Sequence, residues 1–145
     1  MKVIIVDDHA IVADGLSAVL SSIENVDVLK KLTSGDFALA FLKQAAVDLM
    51  ITDYSMPDMD GLTLVKKAKE LRPDLKIIVL TMHDEPNKVK DMLNAGVDGY
   101  VLKKYAQQEI VTAVEAVSQG KQYWSSEVSK ALLSSANLAA EEVSV

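Results

Sequence analysis

Four short runs of apolar residues, each ending at a polar side chain, constrain this chain more than any other feature. They are residues 3–6 (Val-Ile-Ile-Val), 49–52 (Leu-Met-Ile-Thr), 77–80 (Ile-Ile-Val-Leu) and 99–102 (Gly-Tyr-Val-Leu). None shows the apolar–polar alternation of a strand with one wet face, so each reads as a strand buried on both sides. Residues 26–32 form a weaker fifth candidate, and Lys30 and Lys31 within it place that strand towards a sheet edge.

The longer segments between these runs repeat with helical period. Ile11, Val12, Gly15, Leu16, Val19 and Leu20 share one face. Phe37, Ala40 and Phe41, continued by Ala45, make a shorter one, and Leu62, Val65, Ala68 and Leu71 make a third that Pro73-Asp74 stops. Val89, Met92 and Leu93 lead to Ala95-Gly96, and Ile110, Val111, Val114 and Val117 lead to Gly120, both glycines standing where a helix C-cap belongs. Five strands alternating with five helices predict a doubly wound, five-stranded parallel sheet covered on both faces, the flavodoxin-like α/β architecture. Residues 1–120 then form one domain. Residues 121–145 read as a linker-like tail, in which Ser125 is a candidate N-cap for a short amphipathic helix through Val128, Ala131 and Leu132. Tyr123, Trp124, Val128 and Leu132 could serve as a dimer arm or dock back on the chain's own domain.

Bulk properties narrow the function. The 145 residues carry 15 basic and 21 acidic side chains, a formal charge of −6, which disfavours nucleic-acid binding by this chain alone. There are no cysteines, so disulfides, thiolate metal sites and cysteine nucleophiles are excluded. The apolar run at the start ends at Asp7, too short for a secretory signal or a membrane span, and a cytoplasmic location is expected. Nucleotide-binding glycine loops and the His-Glu-x-x-His motif do not occur.

In doubly wound sheets, ligands bind beyond the carboxyl ends of the strands. Asp7 and Asp8 follow the first run, Asp53 the third, Thr81 the fourth and Lys103 the fifth. Any one aspartate in such a place is ordinarily a turn former or helix cap. Five matched placements at one edge are another matter. Three converging carboxylates need a compensating cation, and oxygen ligands suit a hard ion, Mg²⁺ above all. A lysine can offset a carboxylate or a phosphoryl group, a threonine hydroxyl can donate to a new oxygen, and carboxylates can accept phosphoryl groups covalently. His9 and His83 read as solvated rim histidines, and Pro57 and Gly61 as the makings of a tight loop after Asp53.

The ordered pieces Val6-Asp7-Asp8-His9, Thr52-Asp53-Tyr54-Ser55-Met56-Pro57-Asp58-Met59-Asp60-Gly61, Leu80-Thr81 and Gly99-Tyr100-Val101-Leu102-Lys103 resemble the signature of response-regulator receiver domains. The resemblance implies that Asp53 is the phosphoacceptor for a sensor histidine kinase. It implies that Asp8, Asp53 and the Ser55 backbone carbonyl hold Mg²⁺, with Asp7 acting through a metal-bound water. Lys103 would pair with the phosphoryl oxygens, and Thr81 and Tyr100 would be the switch pair, the tyrosine ring swinging inward behind the threonine. Lys104 stands where many receivers have proline. The junction from Glu109 through Tyr123-Trp124-Ser125 is similar to that of the NarL/FixJ branch, whose members carry a C-terminal LuxR-type helix-turn-helix. Nothing after Val145 could form one, which favours a chain cut at the linker over a stand-alone receiver acting through protein partners. A phosphorylation-biased homodimer is expected in either case, and a Mg²⁺-dependent phosphohydrolase is the competing reading from another class.

Overall fold

The computed structural model describes residues 1–82, 86–126 and 128–129. Its elements run β1 (Lys2–Val6), α1 (Ala10–Leu20), β2 (Asp27–Leu32), α2 (Gly35–Gln44), β3 (Leu49–Asp53), α3 (Gly61–Leu71), β4 (Lys76–Thr81), α4 (Pro86–Asn94), β5 (Gly99–Leu102), a 3-10 turn over Lys103–Tyr105, α5 (Ala106–Ser118) and β6 (Tyr123–Trp124). All the pairings in the sheet are parallel, in the order β2-β1-β3-β4-β5-β6. The weak strand with two lysines does lie at an edge.

The central strands separate two apolar layers, as strand alternation requires. Ile4, Val6, Met50, Ile77, Val79, Tyr100 and Leu102 face a core completed by α2, α3 and α4. Val3, Ile5, Leu49, Ile51, Ile78, Leu80 and Val101 face the core beneath α1 and α5. Side chains on both faces are removed from water, so the strand sequences need no polar alternation.

Helix ends follow local chemistry. The Ser34 side chain accepts from Phe37 N–H to start α2, and Asp60 accepts from Thr63 N–H to start α3. Gly96 and Gly120 take φ of +93° and +80°, and the amides of Val97 and Lys121 reach back to the carbonyls of Met92 and Ala116. These are the left-handed closures that the two glycines imply.

Three expectations need correction. Ile11 is 87% exposed and Phe37 60% exposed. The buried stripe of α1 is Ala13, Leu16 and Leu20, and that of α2 is Gly35, Ala38 and Leu42. Residue size misled the sequence reading: small alanines lie on the packed stripes, where helices approach a sheet closely, while the bulkier Ile11 and Phe37 face outward. The third correction is the sixth strand. Tyr123 N–H donates to the Asp98 carbonyl and Ser125 N–H to the Tyr100 carbonyl, so after Gly120 the chain docks back on its own domain, one of the two alternatives the sequence left open, and adds a strand to the five expected. Val128 is buried. Ala131 and Leu132, the remainder of the expected amphipathic helix, lie outside the described residues, as does His83.

Candidate functional site

Each strand ends at the same edge of the sheet, so residues distant in sequence meet there. Asp7 follows β1, Asp53 closes β3, Thr81 closes β4, and Lys103 follows β5. Asp7 is 1% exposed and Asp53 3%. The ammonium of Lys103 lies 2.9 Å from Asp53 Oδ2 and 3.3 Å from Asp7 Oδ2. Asp8 is more open, with 27% of its side chain exposed. Ligand atoms of Asp7, Asp8, His9 and Asp53 all lie within 4.8 Å of one another. The sequence-predicted acids and their lysine are therefore one cluster.

The electrostatics are strained. Burial pushes the Asp53 carboxyl up; the Lys103 hydrogen bond pulls it back; the Asp7 charge pushes up again, and the balance lies above the ordinary value. Burial opposes the Lys103 charge, but Asp53 and Asp7 outweigh it and hold the ammonium above its usual range. Asp8 Oδ1 is buried with no hydrogen bond, and Asp7 Oδ2 is buried with only the Lys103 ammonium at 3.3 Å to offset it. Such oxygens are costly when left to themselves, and they are the donor set that a hard divalent cation takes. The residues present fit such an ion.

The loop after Asp53 is fastened from several sides. Ser55 N–H points to Asp53 Oδ1 at 3.4 Å, and Ser55 bridges to Asp60 across the turn. Gly61 N–H donates to the Tyr54 carbonyl. A Cβ on Gly61 would stand 2.8 Å from Tyr54 Cα, so only glycine lets the helix start this close to the loop backbone. Asp58, which the sequence reading passed over, lays its carboxylate on the first amides of α2, accepting from Gly35 N at 3.2 Å and Asp36 N at 2.9 Å. Burial opposes its charge, but those amides outweigh it and hold the carboxyl below its usual value. An aspartate that caps a helix 22 residues upstream leaves no local signature, which is why sequence spacing could not find it.

Thr81 and Tyr100 are both fully buried. Thr81 pairs with Leu102 and Val79 with Tyr100, so both side chains project from the same face of the sheet. The Tyr100 ring already lies inside, stacked on Trp124 with centroids 6.1 Å apart, so the inward swing expected of it has no outward starting point in this conformation. Ser125, also buried, accepts from Leu102 N–H at 3.0 Å and donates to Glu109 Oε2 at 2.8 Å, while the Tyr123 hydroxyl donates to Glu109 Oε1 at 2.8 Å. Ser125 stands at the start of the helical turn expected after it, its carbonyl accepting from Ser129 N–H at 2.9 Å, and its hydroxyl also links β5 to α5. His9 keeps its rim position, with 62% of the side chain exposed, yet its Nδ1 reaches into the acid cluster.

Fold and site together define a doubly wound α/β domain with a carboxylate–ammonium centre at the carboxyl edge of its sheet. A family model described as "Response regulator receiver domain" matches residues 3–115, and the chain belongs to that family, the receiver domains of two-component response regulators. It is 34% identical over 130 residues to the response regulator UvrY of Escherichia coli K12, covering 90% of this chain and 60% of that protein. It is 36% identical over 128 residues to the response regulator protein VraR of Staphylococcus aureus, covering 88% and 61%. The isolated receiver of RcsB from Salmonella enterica serovar Typhimurium, solved with the phosphomimetic BeF3-, superposes with a TM-score of 0.85 at 37% identity, covering 91% of this chain and 98% of that one. RcsB from the same organism bound to a promoter gives 0.84 at 37% identity, with 91% and 66% covered. The chain spans about three fifths of the length of the curated relatives it matches. Among the described residues, no helix is long and apolar enough to cross a membrane.

Proposed function

We propose that this domain is a phosphorylation switch in which Asp53 accepts a phosphoryl group from the phosphohistidine of a sensor kinase. An Asp53 oxygen attacks phosphorus, the phosphorus–nitrogen bond breaks, and an acyl phosphate forms on the carboxylate. The observation that carries this reading is the convergence of Asp7, Asp8 and Asp53 with Lys103 at the sheet edge. Asp53 is only 3% exposed, but side-chain ends stand beside its outer oxygen: Lys103 Nζ at 2.9 Å and His9 Nδ1 at 3.9 Å.

Asp8, Asp53 and the Ser55 carbonyl would hold Mg²⁺, with Asp7 acting through a bound water. When present, the cation supplies positive charge to the transferring oxygens, the main requirement of phosphoryl transfer. Lys103 neutralises a further oxygen, the Asp58 and Asp60 caps keep the loop in place, and Thr81 donates its hydroxyl to the new group. Phosphorylation adds about −1.5 to −2 of charge at that point. The state of Tyr100 then biases the faces available for homodimer formation. Output is transcriptional, through a DNA-binding domain of the NarL/FixJ type elsewhere in the full-length protein, consistent with a relative solved on a promoter. The protein acts in the cytoplasm, and it turns over its own acyl phosphate rather than an external substrate.

Intact mass spectrometry after treatment with acetyl phosphate and Mg²⁺ tests this. The wild-type chain should gain one phosphoryl group and Asp53→Ala none. An unchanged wild-type mass, or a label that survives in Asp53→Ala, overturns the proposal.

A further inference from the structure

The sequence suggests no purpose for His9 beyond solvation, but its ring nitrogen stands among the carboxylates. Nδ1 lies 3.1 Å from Asp7 Oδ1, 3.4 Å from Asp8 Oδ1 and 3.9 Å from Asp53 Oδ2. It also lies 3.1 Å from Lys103 Nζ. In the tautomer that accepts from Lys103, Nδ1 offers a lone pair. In that tautomer Nδ1 and the carboxylate oxygens form one set of donor atoms, all within 4.8 Å of one another. Two of those acids carry buried oxygens that make no hydrogen bond, Asp8 Oδ1 and Asp7 Oδ2, the latter offset only by the Lys103 ammonium at 3.3 Å. We propose that His9 is a nitrogen ligand of the acid cluster, giving the site an affinity for borderline divalent ions such as Zn²⁺ that an all-oxygen Mg²⁺ site lacks.

Spacing supports the assignment. Ligands about 2.1 Å from an octahedral ion stand about 3.0 Å apart when adjacent and about 4.2 Å apart when opposite. The three Nδ1–oxygen spacings, 3.1, 3.4 and 3.9 Å, span that range. The backbone holds the ring there: His9 N–H donates to Asp7 Oδ1 at 2.8 Å, and the residue occupies the N-cap of α1 in extended conformation. Oxygen-only sets suit Mg²⁺, whereas an imidazole shifts preference towards Zn²⁺, Ni²⁺ and Cu²⁺. Occupancy by such an ion excludes Mg²⁺ from the same carboxylates, so the switch would respond to transition-ion supply as well as to its kinase. This inference rests on the proposed reading of the cluster as a cation site.

Calorimetric titration of the chain with Mg²⁺ and separately with Zn²⁺ tests it, comparing wild type with His9→Gln. His9→Gln should weaken Zn²⁺ binding by about tenfold or more while changing Mg²⁺ binding by less than about twofold. Pulsed electron paramagnetic resonance of the Cu²⁺-loaded wild type should show coupling to an imidazole nitrogen that His9→Gln abolishes. Thermal melts of the cation-free variants control for folding. Equal Zn²⁺ affinity in wild type and His9→Gln, or a nitrogen coupling that survives the substitution, overturns the assignment of His9. If wild type binds Mg²⁺ and gains a phosphoryl group in that case, the receiver reading stands without it. If neither cation binds and the mass is unchanged, that reading fails first and takes the inference with it.

Discussion

Replacing Lys103 by methionine should destabilise the cation-free domain at neutral pH, and the deficit should shrink when Mg²⁺ is added. The ammonium sits 2.9 Å from Asp53 Oδ2 and 3.3 Å from Asp7 Oδ2, with side-chain exposures of 14%, 5% and 0% respectively. At an effective dielectric of about 20, each contact amounts to roughly 5–6 kcal/mol before solvation. Removing the ammonium also removes its own burial cost, so the net loss is about 3 kcal/mol, the low end for breaking a buried pair. A loss of that size lowers the melting temperature by about 6–12 °C in a domain of this length. The sign with pH follows from Asp53. Its folded-state carboxyl already titrates above the ordinary value, and without Lys103 it must rise further. A raised carboxyl favours the fold while protonated, and that contribution disappears as pH rises through its folded value. The deficit should therefore be largest at neutral pH and smallest on the acid side. Circular dichroism melts across a pH series, with chelator and with saturating Mg²⁺, measure both trends. A variant that melts with wild type in chelator, or whose deficit ignores both Mg²⁺ and pH, would show that the lysine is not compensating these carboxylates.

Asp53→Asn should raise the melting temperature in chelator at neutral pH, since it removes an ionised group whose folded-state value is raised by burial, and the gain should fade as the solution is acidified; melts at two pH values decide it. Ser125→Ala leaves the buried Leu102 N–H without its acceptor and removes one of two donors to Glu109, a loss of about 2 kcal/mol by urea unfolding; an unchanged midpoint would mean that the sixth strand adds nothing to the domain. Burial and the Glu109 carboxylate push the Tyr123 hydroxyl up to about 12. Ultraviolet titration of the tyrosines should show one ionising late, and Glu109→Gln should return it towards 10. The stability linked to that hydroxyl is complete below the unfolded tyrosine value and lost as pH climbs to about 12.

The sheet was legible because its four central strands are buried on both faces, which keeps charged residues out of residues 3–6, 49–52, 77–80 and 99–102. The acid cluster was legible for a related reason. Parallel topology sends every strand's last residue to one edge, so position in sequence translates directly into position in space. Helix faces were less legible. Ala13 and Ala38 look unremarkable in sequence, and the larger Ile11 and Phe37 drew attention to faces that point at water. The long-range polar contacts were not legible at all. Asp58 on the first amides of α2 and Ser125 on Leu102 N–H join segments separated by 22 and 23 residues, and no periodicity reports such a pairing.

Those unseen contacts decide how the site can communicate. Lys103 begins directly after β5, and the amide of the preceding residue, Leu102, is held by Ser125. Two residues earlier on the same strand, Tyr100 stacks on Trp124 and its carbonyl accepts from Ser125 N–H. A four-residue strand thus carries the cluster's ammonium at one end while its edge is fastened to Tyr123–Ser125. Any displacement of Lys103 that follows a change of charge at Asp53 must either be absorbed within Gly99–Leu102 or be passed to Tyr123–Ser125. The strand is fully buried and paired on both sides, so it has little slack to absorb one. On this geometry, a displacement of Lys103 would reach Tyr123–Ser125 through the β5–β6 pairing.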